Sequence, residues 1–486
     1  MRATSTLKTL AAALSLTAAA PSFALDLIQA WRAALSNDAQ LASARSQLQA
    51  TRERVPQARA GLLPSVAATA AMNRQNVDTN VSPTRRFTSQ NYGIQLSYPL
   101  LRLQNVEAFE QSKLQVAVGE AQLAQAEQDL ALRVSQAYFD LLAAQDNVET
   151  LRAQMRAISE QLAAAKRNFE VGTATITDQQ EAQARFDLAS AQEIAAGNEL
   201  EVRRAALAQL IGRPVGELDV LRPGLSLEGP QPASESGWVQ NARDNNLLVQ
   251  QQRIAAEIAK REIDRQRYAR YPTVDVVGSV GRAEDAAFNL VGVNSNSAVV
   301  GVQLSVPLYT GGGIDARVRE AAASHDRSLS DLENTRRQAE QGARQAYLGL
   351  NSGLAQVRAL EAAERSSRLA LDSNLLGYQV GVRINIDVLN AQQQLFSTRR
   401  DLARARYDAL LNGLRLKSTT GALGEQDVAQ VNALLAPPQP GTPEGTGATP
   451  APPAAAQPAP ASSPKDPPLP KPDAPQPRGG RVEKKR

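Results

Sequence analysis

The stretch FEVGTATITDQQEAQ, Phe169 to Gln183, returns as YQVGVRINIDVLNAQ, Tyr378 to Gln392, at an offset of 209 residues. The correspondence runs without a gap from Ala137-Tyr138, onto Ala346-Tyr347, to Gly212, onto Gly421. Further upstream the register slips by one residue. Gln95-Leu96-Ser97 and Pro99 recur as Gln303-Leu304-Ser305 and Pro307, and Pro64 matches Pro272. Repetition on this scale implies two structurally equivalent halves. Positions where the halves differ then become candidates for specialised work.

Each copy of the quoted stretch carries a Val-Gly pair, Val171-Gly172 and Val380-Gly381, between helical patterns. Glycine permits the sharp turn that ends a helix. Before the first turn, apolar residues keep a heptad. Val134, Leu141, Val148, Met155, Leu162 and Phe169 form one row, and Ala137, Ala144, Leu151, Ile158 and Ala165 the other. A sustained 3.5-residue period implies left-handed supercoiling against a neighbour. The second copy keeps Leu350, Val357, Leu360, Leu371 and Tyr378, interrupted by Glu364 and Ser367. A helix from about Asn105 to Phe169 would reach roughly 100 Å. The chain is then expected to return as a helix over Thr177–Leu210, and in the second copy over Ile386–Lys417.

Upstream of the long helices, Leu25 to Gly61 reads as a helix, followed by strands near Ser65–Asn76 and Thr88–Tyr98. The second copy places strands near Thr273–Arg282 and Ala298–Val306. In GIQLSYP, Ile94, Leu96 and Tyr98 oppose Gln95 and Ser97; in GVQLSVP, Val302, Leu304 and Val306 oppose Gln303 and Ser305. Such alternation suits a wall between an apolar surround and a wet interior, and equally a half-buried hairpin. Long helical tracts between the hairpins, and an export signal, favour the wall. Four strands are too few to close a channel, and an open edge in a bilayer leaves backbone groups unsatisfied. Strands that enter a membrane must therefore be shared among several chains.

The signal consists of Arg2 and Lys8, the apolar run LAAALSLTAAA, and small residues at Ser22-Phe23-Ala24, so the mature chain is expected to begin at Leu25. Leu10 to Ala20 is too short to cross about 30 Å of hydrocarbon. Cysteine is absent, which excludes disulfides, thiolate metal sites and a lipidated N-terminal Cys. Aromatic residues make up only 4% of the chain, in keeping with long helices over a compact sheet core. The net charge of +4 is spread along helical segments, so no nucleic-acid surface is expected. The order of segments is an export signal at 1–24, a first repeat at 25–212, a linker at 213–237 and a second repeat at 238–423. A C-terminal extension covers 424–486; from about 437 it is Pro- and Ala-rich, cannot bury a core, and is expected to be disordered.

The ordered set of the SND…LASARS…GLLPSV start, two QLS-containing strands, two AY helices and two VG turns resembles the TolC family of outer-membrane channel proteins over about Leu25 to Leu423. The resemblance implies a membrane α+β fold with internal duplication. Three chains would share a 12-stranded transmembrane β-barrel, four strands each, continued into the periplasm by an α-helical barrel of coiled-coil helices. It implies a homotrimer in the outer membrane, in contact with its lipids. It also implies a passive conduit for exported cargo, joined to a periplasmic adaptor and an inner-membrane ABC or proton-driven transporter. Type I protein secretion is favoured over multidrug efflux, and a periplasmic coiled-coil scaffold is the alternative of another class. No catalytic constellation is visible, so neither an enzyme nor a cofactor is expected.

The resemblance further places a periplasmic gate at Asp178, Tyr378 and Arg383, with tip turns at Gly172 and Gly381. Ala174 in the first copy stands where the second has Arg383, as fits one turn supplying a cation and the other receiving it. Asp387 matches an acidic constriction ring able to bind a multivalent cation, and is the one possible metal position. Asn390 stands where a second acidic ring belongs, so cation selectivity and block should be weaker. Both aspartates also suit plain helix caps, and Arg383 a solvated charge. Gly311-Gly312-Gly313 lacks the Gly-Lys-Ser/Thr ending of a phosphate loop and reads as a strand-to-helix junction. His325, the only histidine, has no partners in sequence that would make it a catalyst or ligand.

Overall fold

A computed structural model describes residues 24–79, 82–222, 224–225, 227–284 and 293–438. The expected signal, apart from Ala24, and the tail from 439 onward lie outside these residues. The chain starts as three helices where the sequence suggested one: α1 (Leu27–Asn37), α2 (Ala39–Arg52) and α3 (Arg54–Ala60). Asp38 causes the first break. Its backbone is extended, and its carboxylate caps α2 by accepting from Leu41 N at 2.8 Å. The second break precedes Pro56, which has no N–H to continue the ladder and is tolerated only in a first turn. The second copy repeats the arrangement with α6 (Glu235–Asn245) and α7 (Leu247–Arg267), where Asn246 takes the capping role of Asp38.

Four antiparallel strands follow from the two copies: β1 (Ser65–Thr79), β2 (Ser82–Leu101), β4 (Thr273–Glu284) and β5 (Asn294–Ser305). They form one sheet in the order β1-β2-β4-β5, so the copies join through β2 and β4. The strands exceed their alternating segments because backbone pairing continues past them; the polar Asn76 still pairs with Arg86. The register sets Ala68, Ile94, Val280 and Ala298 in one row, and Val66, Leu96, Gly278 and Val300 in the next. This face is apolar and uncovered: Val300 is 86% and Val302 67% exposed. The other face carries Gln95, Ser97, Ser279, Ser297 and Gln303, with Val277 and Val299 among them. The outer edges of β1 and β5 have no partner strand among the described residues.

Beneath the sheet run α4 (Leu103–Glu170) and α8 (Gly313–Gln379), of 68 and 67 residues, each roughly 100 Å long. Gly172 and Gly381 turn them back, at φ 77° and 76°, into α5 (Ile176–Ile211) and α9 (Asn385–Thr419). The heptad residues Val134, Leu141, Val148, Leu151, Ile158, Leu162 and Ala165 are buried, whereas Phe169, at the tip, is 42% exposed. Glu364, which interrupts the second heptad, accepts from Arg399 Nε at 3.1 Å, so an ion pair replaces the apolar contact there.

Halfway along, the largest core gathers α1, α4, the ends of α5 and α9, and α10 (Glu425–Asn432) around Tyr138, Phe139, Leu141 and Leu142. The Tyr138 hydroxyl lies 3.0 Å from Leu25 O and 2.9 Å from Asp219 O, which fastens the start of the first repeat to the linker. Its repeat mate Tyr347 donates to Ala233 O. Short strands β3 (Val220–Leu221) and β6 (Leu435–Ala436) pair, so residues 424–436 belong to the folded body. No helix among the described residues is long and apolar enough to cross a membrane.

Candidate functional site

The two helical hairpins end in matching loops. Thr173 N donates to Asn168 O at 2.8 Å, and Val382 N to Gly377 O at 2.8 Å, closing the same bond in both copies. The αL glycines allow this geometry without a Cβ penalty. From here the copies part company. In the first, Thr175 and Asp178 form a reciprocal capping box. Thr175 Oγ1 accepts from Asp178 N at 3.2 Å, and Asp178 Oδ2 accepts from Thr175 N at 2.9 Å. In the second, Ile384 occupies the capping position and has no oxygen to offer. The Asp387 carboxylate is thereby released from a box and lies 3.6 Å from Arg383 Nη1.

The expected gate residues are thus spread over three contacts within one chain. Asp178 caps α5. Tyr378 accepts from Asn168 Nδ2 at 3.2 Å, which ties α8 to α4. Arg383, 59% exposed, faces its own Asp387, and no bond joins it to Asp178 within the chain. Its aliphatic stem covers Gly377, where a Cβ would come within 2.7 Å of Arg383 Cγ. Asp387 and Asn390, three residues apart, share the solvent-facing side of α9. Asn390 Oδ1 accepts from Arg185 Nη2 at 3.0 Å.

Three contributors escaped the sequence reading. Asn385 is 1% exposed at the start of α9, and its Oδ1 accepts from Gln161 Nε2 at 2.5 Å. Its Nδ2 donates to the carbonyl of Asp178 at 3.2 Å. One buried amide therefore holds α4, the first turn of α5 and the first turn of α9 together. Arg185, on α5, reaches α9 through Asn390 and Gln393. The signal was available: Gln161, Ile176 and Arg185 stand against Ala370, Asn385 and Gln394 in the second copy, all of them disagreements.

A second tie lies where the sheet meets the helices. Arg102 makes a bidentate pair with Asp275, Nε to Oδ1 at 2.9 Å and Nη2 to Oδ2 at 2.7 Å, clamping the end of β2 to β4. Gly311 and Gly312, both at positive φ, lead into α8, as expected of a strand-to-helix junction. Among the described residues no group of His, Asp and Glu is arranged to hold a metal ion.

The sequence profile of the family described as "Outer membrane efflux protein" matches residues 30–213 and again 238–422, one match per repeat. Outer membrane protein TolC of Vibrio cholerae is 33% identical, over 85% of this chain and 94% of its own length. Alkaline protease secretion protein AprF of Pseudomonas aeruginosa is 32% identical, over 85% of this chain and 87% of its own length. Among solved structures, the CmeC outer membrane channel of Campylobacter jejuni superposes with a TM-score of 0.71 at 17% identity. That match covers 84% of this chain and 89% of the other.

Proposed function

The chain belongs to the outer membrane efflux protein family, and on that premise we propose that three copies form one channel whose periplasmic mouth is the helix tips. The chain is an outer-membrane channel component and not an enzyme. The observation that carries the sharing of one barrel among chains is the sheet, with four strands, one bare apolar face and, among the described residues, two unpaired edges; the number three comes from the family resemblance. Lipid covers such a face without cost, and closure with neighbours satisfies the edges. Three sheets make a 12-stranded barrel with the polar face inward, and the paired helices continue the conduit. A soluble scaffold has no use for that face.

The channel is passive; an inner-membrane transporter and a periplasmic adaptor supply energy and cargo. Type I protein secretion is the favoured role, because AprF, a protease secretion protein by name, matches nearly the whole chain. Multidrug efflux is the second reading, in line with the family description. At the mouth, Arg383 of one chain reaches the first-copy turn of its neighbour and holds the tips together with Tyr378 and Asp178. Its bond to Asp387 is long and solvated, worth about 0–1 kcal/mol, so exchanging it for a contact between chains is cheap. Asp387 then lines the constriction, with Asn390 beside it.

Planar-bilayer recording tests this reading. Arg383→Ser and Asp178→Ala should each raise single-channel conductance, since either removes one side of a contact repeated three times. Unchanged conductance in both variants would take these residues out of the gate.

A further inference from the structure

The charge balance around the constriction differs from what Asp387 alone suggests. Arg185 sits on α5, on the other hairpin, and its guanidinium spans two amide oxygens of α9, Asn390 Oδ1 at 3.0 Å and Gln393 Oε1. Asn390 and Gln393 are exposed and continue the solvent-facing side that Asp387 begins. Amide oxygens orient a guanidinium without neutralising it, and arginine does not deprotonate in proteins. Among the described residues Arg185 forms no ion pair. Glu181, one turn earlier on α5, stays outside ion-pair distance, and the Asp187 carboxylate accepts from Gln183 Nε2 at 2.9 Å. Within one chain Arg185 is therefore a guanidinium held at the layer of Asn390 by neutral oxygens and by no carboxylate among the described residues. Asp387 lies 3.6 Å from Arg383 within the single chain, and is left without that partner once Arg383 turns to the neighbouring chain.

We propose that Arg185 is a selectivity-determining residue of this channel, placing a ring of three positive charges at the layer of Asn390 where an acidic ring would otherwise favour cations. This rests on the trimeric constriction described above. Arg185 and Asn390 act as a unit. An aspartate at 390 would pair with the guanidinium and cancel it, whereas asparagine presents it to the pore with its charge intact. The mouth is then fitted to pass acidic segments of an unfolded polypeptide, or anionic small molecules, which a double carboxylate ring would repel. The copies show the same logic. Arg185 stands against Gln394 and Glu181 against Asn390, so this charge comes from the first hairpin alone.

Reversal potentials across a KCl gradient decide the matter, measured on the full trimer at about 0.1 M salt, where the Debye length is about 10 Å. Three unit charges about that far from the axis, in water and screened, change the cation-to-anion permeability ratio by roughly threefold. Arg185→Gln should move selectivity towards potassium by that factor, and Arg185→Glu should move it about twice as far on a logarithmic scale. Asn390→Asp should act in the same direction. A purely structural role for Arg185 predicts equal shifts for Gln and Glu, and that result, or none, overturns the proposal. Asp387→Asn is the control for the site itself. If it shifts selectivity towards chloride while the Arg185 variants do nothing, the constriction stands and the role of Arg185 falls. If neither position responds, the constriction reading fails and takes this proposal with it.

Discussion

At the residue scale, the copies agree on what shapes the chain and differ in what side chains do. Asn385 illustrates this. The first copy has Ile176 at its position, half in solvent, while Asn385 is buried and bonded on both sides of its amide. A buried amide with partners contributes modestly, but leaving one orphaned costs about 1–3 kcal/mol. Asp146 and Tyr407 form a second such pair, with the hydroxyl donating to Oδ2 at 2.6 Å across α4 and α9. Burial pushes the Asp146 carboxyl above its ordinary value of 3.8, Glu149 adds to this, and the Tyr407 bond and Arg406 only partly oppose it. Between 3.8 and the raised value, the native chain holds a proton that the unfolded chain has released. Stability from this group is present below 3.8 and is lost as pH rises through the elevated value. Asp146→Asn keeps the acceptor for Tyr407 and removes the charge. Its denaturation midpoint should exceed that of the parent at pH 7, and the gap should close as the pH falls below 3.8. A gap of constant size would show that Asp146 titrates as it does in the unfolded chain.

At the element scale, the two returning helices begin by different means. The capping box of Thr175 and Asp178 satisfies two orphan groups at the start of α5. The start of α9 has no side-chain cap and depends on Asn385 and the chain packed above it. Thr175→Ile copies the second repeat into the first without its buried amide. It should cost about 1 kcal/mol and speed amide hydrogen exchange over residues 176–179, while the first turn of α9 stays as it was. Equal protection in both proteins would mean that packing alone holds that turn. Much at this scale was legible in advance. Heptads, Gly172, Gly381 and the strand alternation placed both hairpins and all four long strands, because those signals depend on neighbours a few residues away. The break at Asp38 was missed, since an Asx cap inside an otherwise helical pattern looks like one more polar face.

At the scale of the whole molecule, the sheet has sides. Val302 and Gln303 are adjacent in β5 and point to opposite faces, as period two requires. If lipid covers the apolar face, Val302→Lys sets a charge in hydrocarbon at about 2–4 kcal/mol per chain near the midplane. Gln303→Lys places the same charge in water. Assembly into a detergent-resistant oligomer in the outer-membrane fraction should be lost for the first and kept for the second. Equal assembly of both would remove the barrel. The Arg102–Asp275 clamp belongs to this scale too. It joins residues 173 positions apart, and neither residue stood out in a chain with so many arginines.

Duplication, helix hairpins and strand sidedness were all determined by the sequence alone. Each follows from periodicity or from glycine at a turn. Which of the differing residues meet was decided only by the tertiary structure. Gln161 finds Asn385 across 224 positions, and Arg185 finds Asn390 across 205. Those meetings depend on how far α4, α5 and α9 rotate about their axes as they supercoil, a quantity set by the sum of all the packing between them. A rotation of one residue, about 100°, would present other side chains. That is why Asp178 and Asp387, alike in sequence, end up with different partners: one in its own helix cap, the other beside an arginine on a solvent-facing side.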